Sequence, residues 1–138
     1  MDSEKDNYEI QLSGCVIIKE GKILLLWKKK HNHYELPGGK VEDKESIEAA
    51  ALRETKEETG CDVILKKYVG YKEFIIKEKN YRSHNFIAEI KEGQFPVVAE
   101  PEVFDHILWM PMYDYKKYSV APNVKSLLDD FLSVKINY

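Results

Sequence analysis

The stretch Leu36–Cys61, LPGGKVEDKESIEAAALRETKEETGC, divides into a glycine turn and a helix. Leu36-Pro37-Gly38-Gly39 reads as a turn that interrupts regular structure, and glycine lets backbone approach a ligand closely because no Cβ intervenes. Ser46 suits the N-cap and Glu48 the positive end of the helix dipole; Ile47 to Glu58 holds neither Gly nor Pro, and Gly60 falls where a helix stops. With Glu54 set at zero, Glu57 falls at about 300° and Glu58 at about 40°, so three carboxylates share one line with Ile47, Ala50 and Ala51. Like charges at these spacings each cost roughly 0.2–0.5 kcal/mol on an exposed helix, which calls for a cation. Arg53 flanks the cluster and takes one carboxylate. Hard oxygen ligands suit Mg²⁺ or Mn²⁺. The competing reading is a solvated Glu/Lys face.

Gly39, Glu45, Arg53, Glu54, Glu57, Glu58 and Gly60 match the pattern G-x5-E-x7-R-E-U-x-E-E-x-G-U, where U is a bulky aliphatic residue. At ordinary residue usage these fixed positions coincide by chance at roughly 10⁻⁸ to 10⁻⁹ per start. The stretch therefore resembles the Nudix box, departing from it at Thr55 and Cys61, which are small enough to sit against a core. The resemblance implies an α/β/α sandwich with a mixed β-sheet between helices, and hydrolysis of a nucleoside diphosphate linked to another group X. It also implies roles. Gly39 offers a carbonyl to metal, Glu57 and Glu58 supply carboxylates, Glu54 coordinates or serves as base, Arg53 orients Glu54, and Glu45 pairs with Arg53. A further acid from a loop outside the box is expected; Glu102 is the first choice and Glu100 the next.

Lys28 matches a basic position near the nucleotide in such enzymes, at the end of a hairpin. Trp27, Tyr34, Tyr81, Phe86 and Trp109 offer aromatic surface, and one or two are expected to meet a base, with Trp27 and Tyr34 assigned to substrate. His31 and His33 are read as part of a polar surface loop in preference to metal ligands. ADP-ribose hydrolases carry a proline about fifteen residues beyond the box, and dinucleoside polyphosphate hydrolases a tyrosine slightly farther. Ile75, Ile76 and Lys77–Lys79 fill those regions here. A nucleoside triphosphate pyrophosphohydrolase of MutT type is left as first choice, with ADP-ribose, nucleotide sugars and dinucleoside polyphosphates as alternatives. A Nudix-fold module that senses a nucleotide without cleaving it is the competing class.

The 138 residues and 43% apolar content suit one domain with one core. A net charge of -3 offers no basic field for duplex nucleic acid or for messenger-RNA decapping. Cys15 and Cys61 form no CxxC and fit a reduced compartment. No stretch of 18 apolar residues and no apolar N-terminal segment is present, so a cytoplasmic protein without membrane insertion is expected. A small-molecule nucleotide is the expected partner, and a homodimer is left open. Residues 1–7 read as a frayed polar tail. Tyr8–Lys19 and Lys22–Trp27 read as a hairpin about Glu20-Gly21, followed by a loop over Lys28–His33. Residues 62–65, 68–71, 74–76 and 81–90 read as meander strands, and Ile107–Met110 as a short strand. Val124, Leu127, Leu128, Phe131 and Leu132 mark a C-terminal amphipathic helix.

Overall fold

The computed structural model describes residues 9–133, so the tail expected to fray lies outside the described residues. In chain order the strands are β1 (Ile10–Lys19), β2 (Lys22–Lys28), β3 (His33–Glu35), β4 (Gly38–Lys40), β5 (Val63–Ile76), β6 (Lys79–Ile90) and β7 (Phe104–Pro111). Helix α1 (Ile47–Thr59) separates β4 from β5, and α2 (Pro122–Leu132) follows a 3-10 turn over Met112–Lys117.

Alternation along the central strands explains the layering. Cys15 and Ile17 of β1, with Leu24 of β2, pack with Ala51 of α1, Val63, Phe86 and Ala88. Val16, Ile23 and Leu25 point the other way and pack with Met110, Val124, Leu127, Leu128 and Phe131. Successive side chains of a strand face opposite sides, so a sheet covered by a helix on each face needs uninterrupted apolar runs. Cys15-Val16-Ile17 and Ile23–Leu26 are such runs, and each of these residues is buried. The expected α/β/α sandwich is the observed one.

The pairing is more divided than a hairpin and a meander. Glu20 and Gly21, both with positive φ, make the tight β1–β2 turn. The two strands then pair only at Ile18–Ile23 and Lys19–Lys22 before separating. β1 continues parallel to β6, from Ile10–Tyr81 to Ile17–Ala88, and also takes β4 as an antiparallel neighbour. β2 instead pairs with β3 and β7. The three extended runs after the box are one strand, β5, broken in alternation by register shifts between Leu65 and Lys67 and between Tyr68 and Tyr71. Each shift turns the side chains over, which is why the sequence reads as fragments.

Gly38-Gly39 is also not a free turn. These residues lie in β4 opposite Gly14 and Ser13 of β1. A Cβ on Gly38 would stand 2.7 Å from Gly14 Cα and Ser13 O, and one on Gly14 would meet the Pro37 carbonyl. Glycine here serves close contact between two backbones.

Candidate active site

Helix α1 carries the box residues and is fixed at both ends. Ser46 caps it by accepting from the Ala49 amide at 3.0 Å, and Gly60 ends it with φ of 76°. Ser13 Oγ donates to the Ile47 carbonyl at 2.6 Å, tying its first turn to β1. Thr55 and Cys61, the two departures from the aliphatic pattern, are both buried, as their size allows. The thiols are free, and burial pushes Cys15 up to about 11, so it is no nucleophile at neutral pH.

Arg53 organises the acids. Its Nε and Nη2 donate to the two oxygens of Glu45 at 2.7 and 2.9 Å, a bidentate pair. Nη1 reaches Glu54 at 2.9 Å and Glu57 at 3.2 Å, and Nη2 also donates to the Lys40 carbonyl at 2.9 Å. Beside the expected pair with Glu45, Arg53 thus touches two carboxylates of the cluster, Glu54 and Glu57, where one was expected. Its hydrogen bonds, with one from the Glu42 amide, hold Glu45 down at about 2.

The other acids are pushed the opposite way. Burial, with the charges of Glu54 and Glu100, pushes Glu58 up to about 9, even though it accepts from the Gly38 amide at 3.0 Å. Burial also raises Glu54 against the pull of Arg53, with Glu57 and Glu100 adding to the rise. Glu54 lies under Gly39 so closely that a Cβ there would stand 2.5 Å from its Oε1. Glu57 is exposed.

Of the two loop acids, Glu100 is the one whose charge reaches Glu54 and Glu58. The amides of Val97 and Ala99 donate to the carbonyls of Thr59 and Glu58, each at 3.0 Å, pinning the loop along the end of α1. The chain then turns as the amides of Val103 and Phe104 return to the Glu100 carbonyl. That turn carries Glu102 outward to an exposed position, where its charge registers at Glu100, whereas Glu100 registers at Glu54 and Glu58. An all-oxygen set of neighbouring carboxylates, one of them buried and held well above the usual carboxylate range, fits a hard divalent cation.

A cavity of about 600 Å³ opens along β4. Its walls include Gly38 and Gly39, Lys28, the pair Phe74 and Tyr81, and the segment His31–Glu35 less Asn32 and Tyr34. Lys28 stands at the end of β2 on this wall, and its positive charge opposes the rise that burial causes at Glu58 and Glu100. Trp27 and Tyr34 are not brought to this wall. They pair in register across β2 and β3, on the face opposite Lys28 and His33, and their rings meet edge to face at 4.8 Å beside His106. Tyr34 Oη lies 2.8 Å from His106 Nε2. Of the other aromatics considered, Phe86 is core and Tyr81 alone reaches the cavity, its ring parallel to Phe74 at 5.1 Å. Phe74 and Glu35 escaped the sequence reading, because neither belongs to a motif; only the β5–β6 and β2–β3 registers bring them to the wall.

Residues 11–131 match the NUDIX domain family model. An uncharacterized Nudix hydrolase, YvcI, of Bacillus subtilis (strain 168) is 32% identical over 127 residues, covering 88% of this chain and 78% of the relative. The putative 8-oxo-dGTP diphosphatase YtkD of the same organism is 44% identical over 77 residues, 56% of this chain and 49% of the relative. The crystal structure of a MutT protein from Methanosarcina mazei Go1 superposes with a TM-score of 0.80 at 20% identity, covering 93% of this chain and 96% of that one, which speaks to fold. With the box residues gathered about Arg53 and the family model spanning nearly all of the described residues, the chain belongs to the Nudix family and is a Nudix hydrolase.

Proposed function

We propose that this chain, acting as a single domain, hydrolyses a phosphoanhydride of a nucleoside diphosphate linked to X, with a (deoxy)nucleoside triphosphate as the first substrate class. One observation carries the reading: Glu54 lies against Gly39 and Glu58 accepts from the Gly38 amide, so two carboxylates of α1 sit behind the glycine strand that walls the cavity, with the charges of Glu57 and Glu100 felt there. Mg²⁺ or Mn²⁺, held by these four and the Gly39 carbonyl, would neutralise the phosphate oxygens.

The chain's own groups have separable parts in this scheme. Glu45 holds Arg53, and Arg53 holds Glu54 ready to take a proton from the attacking water. Gly38 lets β4 lie close against β1, and Gly39 leaves room for the Glu54 carboxylate against its backbone. Lys28 draws the anionic chain toward the acids, and the parallel Phe74 and Tyr81 rings present a flat apolar surface to a base. The triphosphate preference rests on the missing ADP-ribose and dinucleoside markers and on the likeness to YtkD, which is named a putative 8-oxo-dGTP diphosphatase. We also assign the enzyme to the cytoplasm; among the described residues no helix is long and apolar enough to cross a membrane.

The test is turnover of a panel of dNTPs, oxidised nucleotides, ADP-ribose, nucleotide sugars and dinucleoside polyphosphates in ¹⁸O-water with Mg²⁺ or Mn²⁺. Label should enter a phosphate-containing product, and Glu54→Gln should lower kcat by about 10²–10⁴. Label on a sugar carbon would move the attack from phosphorus to carbon, and no turnover of any member with tight nucleotide binding retained would replace this reading with the sensing module.

A further inference from the structure

We propose that His31, His33 and Glu35 form a second metal site, for a borderline divalent transition ion of the Zn²⁺ class, on the wall of the cavity and separate from the oxygen-only cluster of α1. The ligand atoms of the three residues all lie within 4.8 Å of one another. His33 Nε2 is 2.7 Å and His31 Nδ1 3.3 Å from the same oxygen, Glu35 Oε2. The backbone produces this convergence. His33 and Glu35 are alternate residues of β3 and share its cavity face. His31 is folded onto that face by the preceding turn, in which Asn32 has φ of 54° and its amide donates to the Lys28 carbonyl at 2.9 Å.

The two imidazoles do not stack. Their centroids are 5.4 Å apart with planes at 72°, so edge nitrogens from two directions aim at one carboxylate. Two imidazoles and one carboxylate suit Zn²⁺, Co²⁺ or Ni²⁺, whereas Mg²⁺ favours the all-oxygen set on α1. Three protein ligands leave a coordination position free, and because all three residues line the cavity, that position faces the substrate space.

Among the described residues, Lys28 is the cation that competes for Glu35. It stands 3.9 Å from Oε1, which leaves Oε2 to the histidines. Glu58 and Glu100 already share its field, so its charge has other anions to serve once a cation engages Glu35. An ion held here would add a Lewis-acidic anchor for a substrate phosphate; that consequence rests on the nucleotide reading, while binding of the ion does not.

The decisive probe is the metal alone. ZnCl₂ titrated calorimetrically into Glu57→Gln/Glu58→Gln protein, in which the α1 cluster is weakened, should still register one ion per chain. CoCl₂ should give a visible d–d spectrum without the near-ultraviolet band of thiolate ligation. His31→Ala and His33→Ala, made separately in that background, should each weaken Zn²⁺ by at least about tenfold, the loss that even an outer-sphere partner can cause. His31 is exposed, so its variant keeps the fold if His33→Ala does not. Zn²⁺ binding that survives His31→Ala undiminished, that disappears with the α1 substitutions alone, or that carries a thiolate signature would overturn the site and leave the histidines as hydrogen-bond donors to Glu35.

Discussion

At Gly39 the lack of a side chain decides where Glu54 can lie. Alanine there would bring a methyl group into the Glu54 carboxylate, which must swing aside because the surrounding backbone is fixed by β1. Gly39→Ala should therefore keep its melting temperature within a few degrees and lose about 10²-fold in kcat, the scale expected when a reacting group is misplaced by an ångström. Steady-state kinetics beside a thermal melt would check it; equal losses in both would mean that the glycine serves only packing. Glu58 makes the reverse case. Its buried carboxylate is unfavourable without a cation, so Glu58→Gln should melt higher than wild type in EDTA, and added Mg²⁺ should narrow or invert the difference. Melting curves with and without metal test this directly. At this scale the sequence was most legible for residues bound to a spacing rule: Glu45, Glu54 and Glu57 all accept from Arg53, as their positions on and before α1 allow. Glu102 ranks above Glu100 by distance from the Ile107–Met110 strand, whereas their placement depends on a loop hydrogen bond, Ala99 to Glu58, that no local pattern encodes.

Among the elements, β1, β5 and β6 are stitched by a polar relay. His84 Nε2 lies 2.7 Å from Gln11 Oε1 and its Nδ1 2.8 Å from Tyr68 Oη, contacts that a neutral ring satisfies by donating to the amide oxygen and accepting from the phenol. Burial, aided by Arg82, lowers the His84 pKa below its ordinary value. The unfolded chain therefore takes up this proton before the folded one does. Stability from this group is complete above pH 6.5 and is lost as pH falls from there toward the depressed folded value, at no more than about 1.4 kcal/mol per pH unit. Chemical denaturation between pH 5 and 8 should show that slope in wild type and a flatter one in His84→Gln; identical slopes would remove His84 as the cause. The helices and the buried strands β1 and β2 were readable from capping residues and apolar runs. The pairing of those strands was not, because β1 and β2 look like a hairpin locally while their long-range partners, β6 and β7, lie far along the chain.

For the molecule as a whole, the two-sided sheet was foreseeable from composition and alternation, and its connectivity was not. Alternation reports which face a residue occupies, never which strand lies beside it. The parallel ladder between β1 and β6 is the feature with the widest reach, since Val16, fully buried, pairs with Ile87 across the intervening 70-odd residues. Closing so long a loop has to precede any reward from the contact, which slows formation of non-local sheets. Val16→Ala, at a cost of about 2 kcal/mol, should act mainly on the refolding rate and little on the unfolding rate in stopped-flow chevrons. A purely faster unfolding limb would mean that this ladder closes after the barrier. On a ribosome the same geometry imposes an order of events: β1 emerges first yet waits for residues 81–88 before its central neighbour exists. During that wait its apolar run Cys15-Val16-Ile17 is a nascent-chain segment suited to chaperone capture, and the interval, set by translation speed across the box and β5, governs how long the segment is open to misassociation.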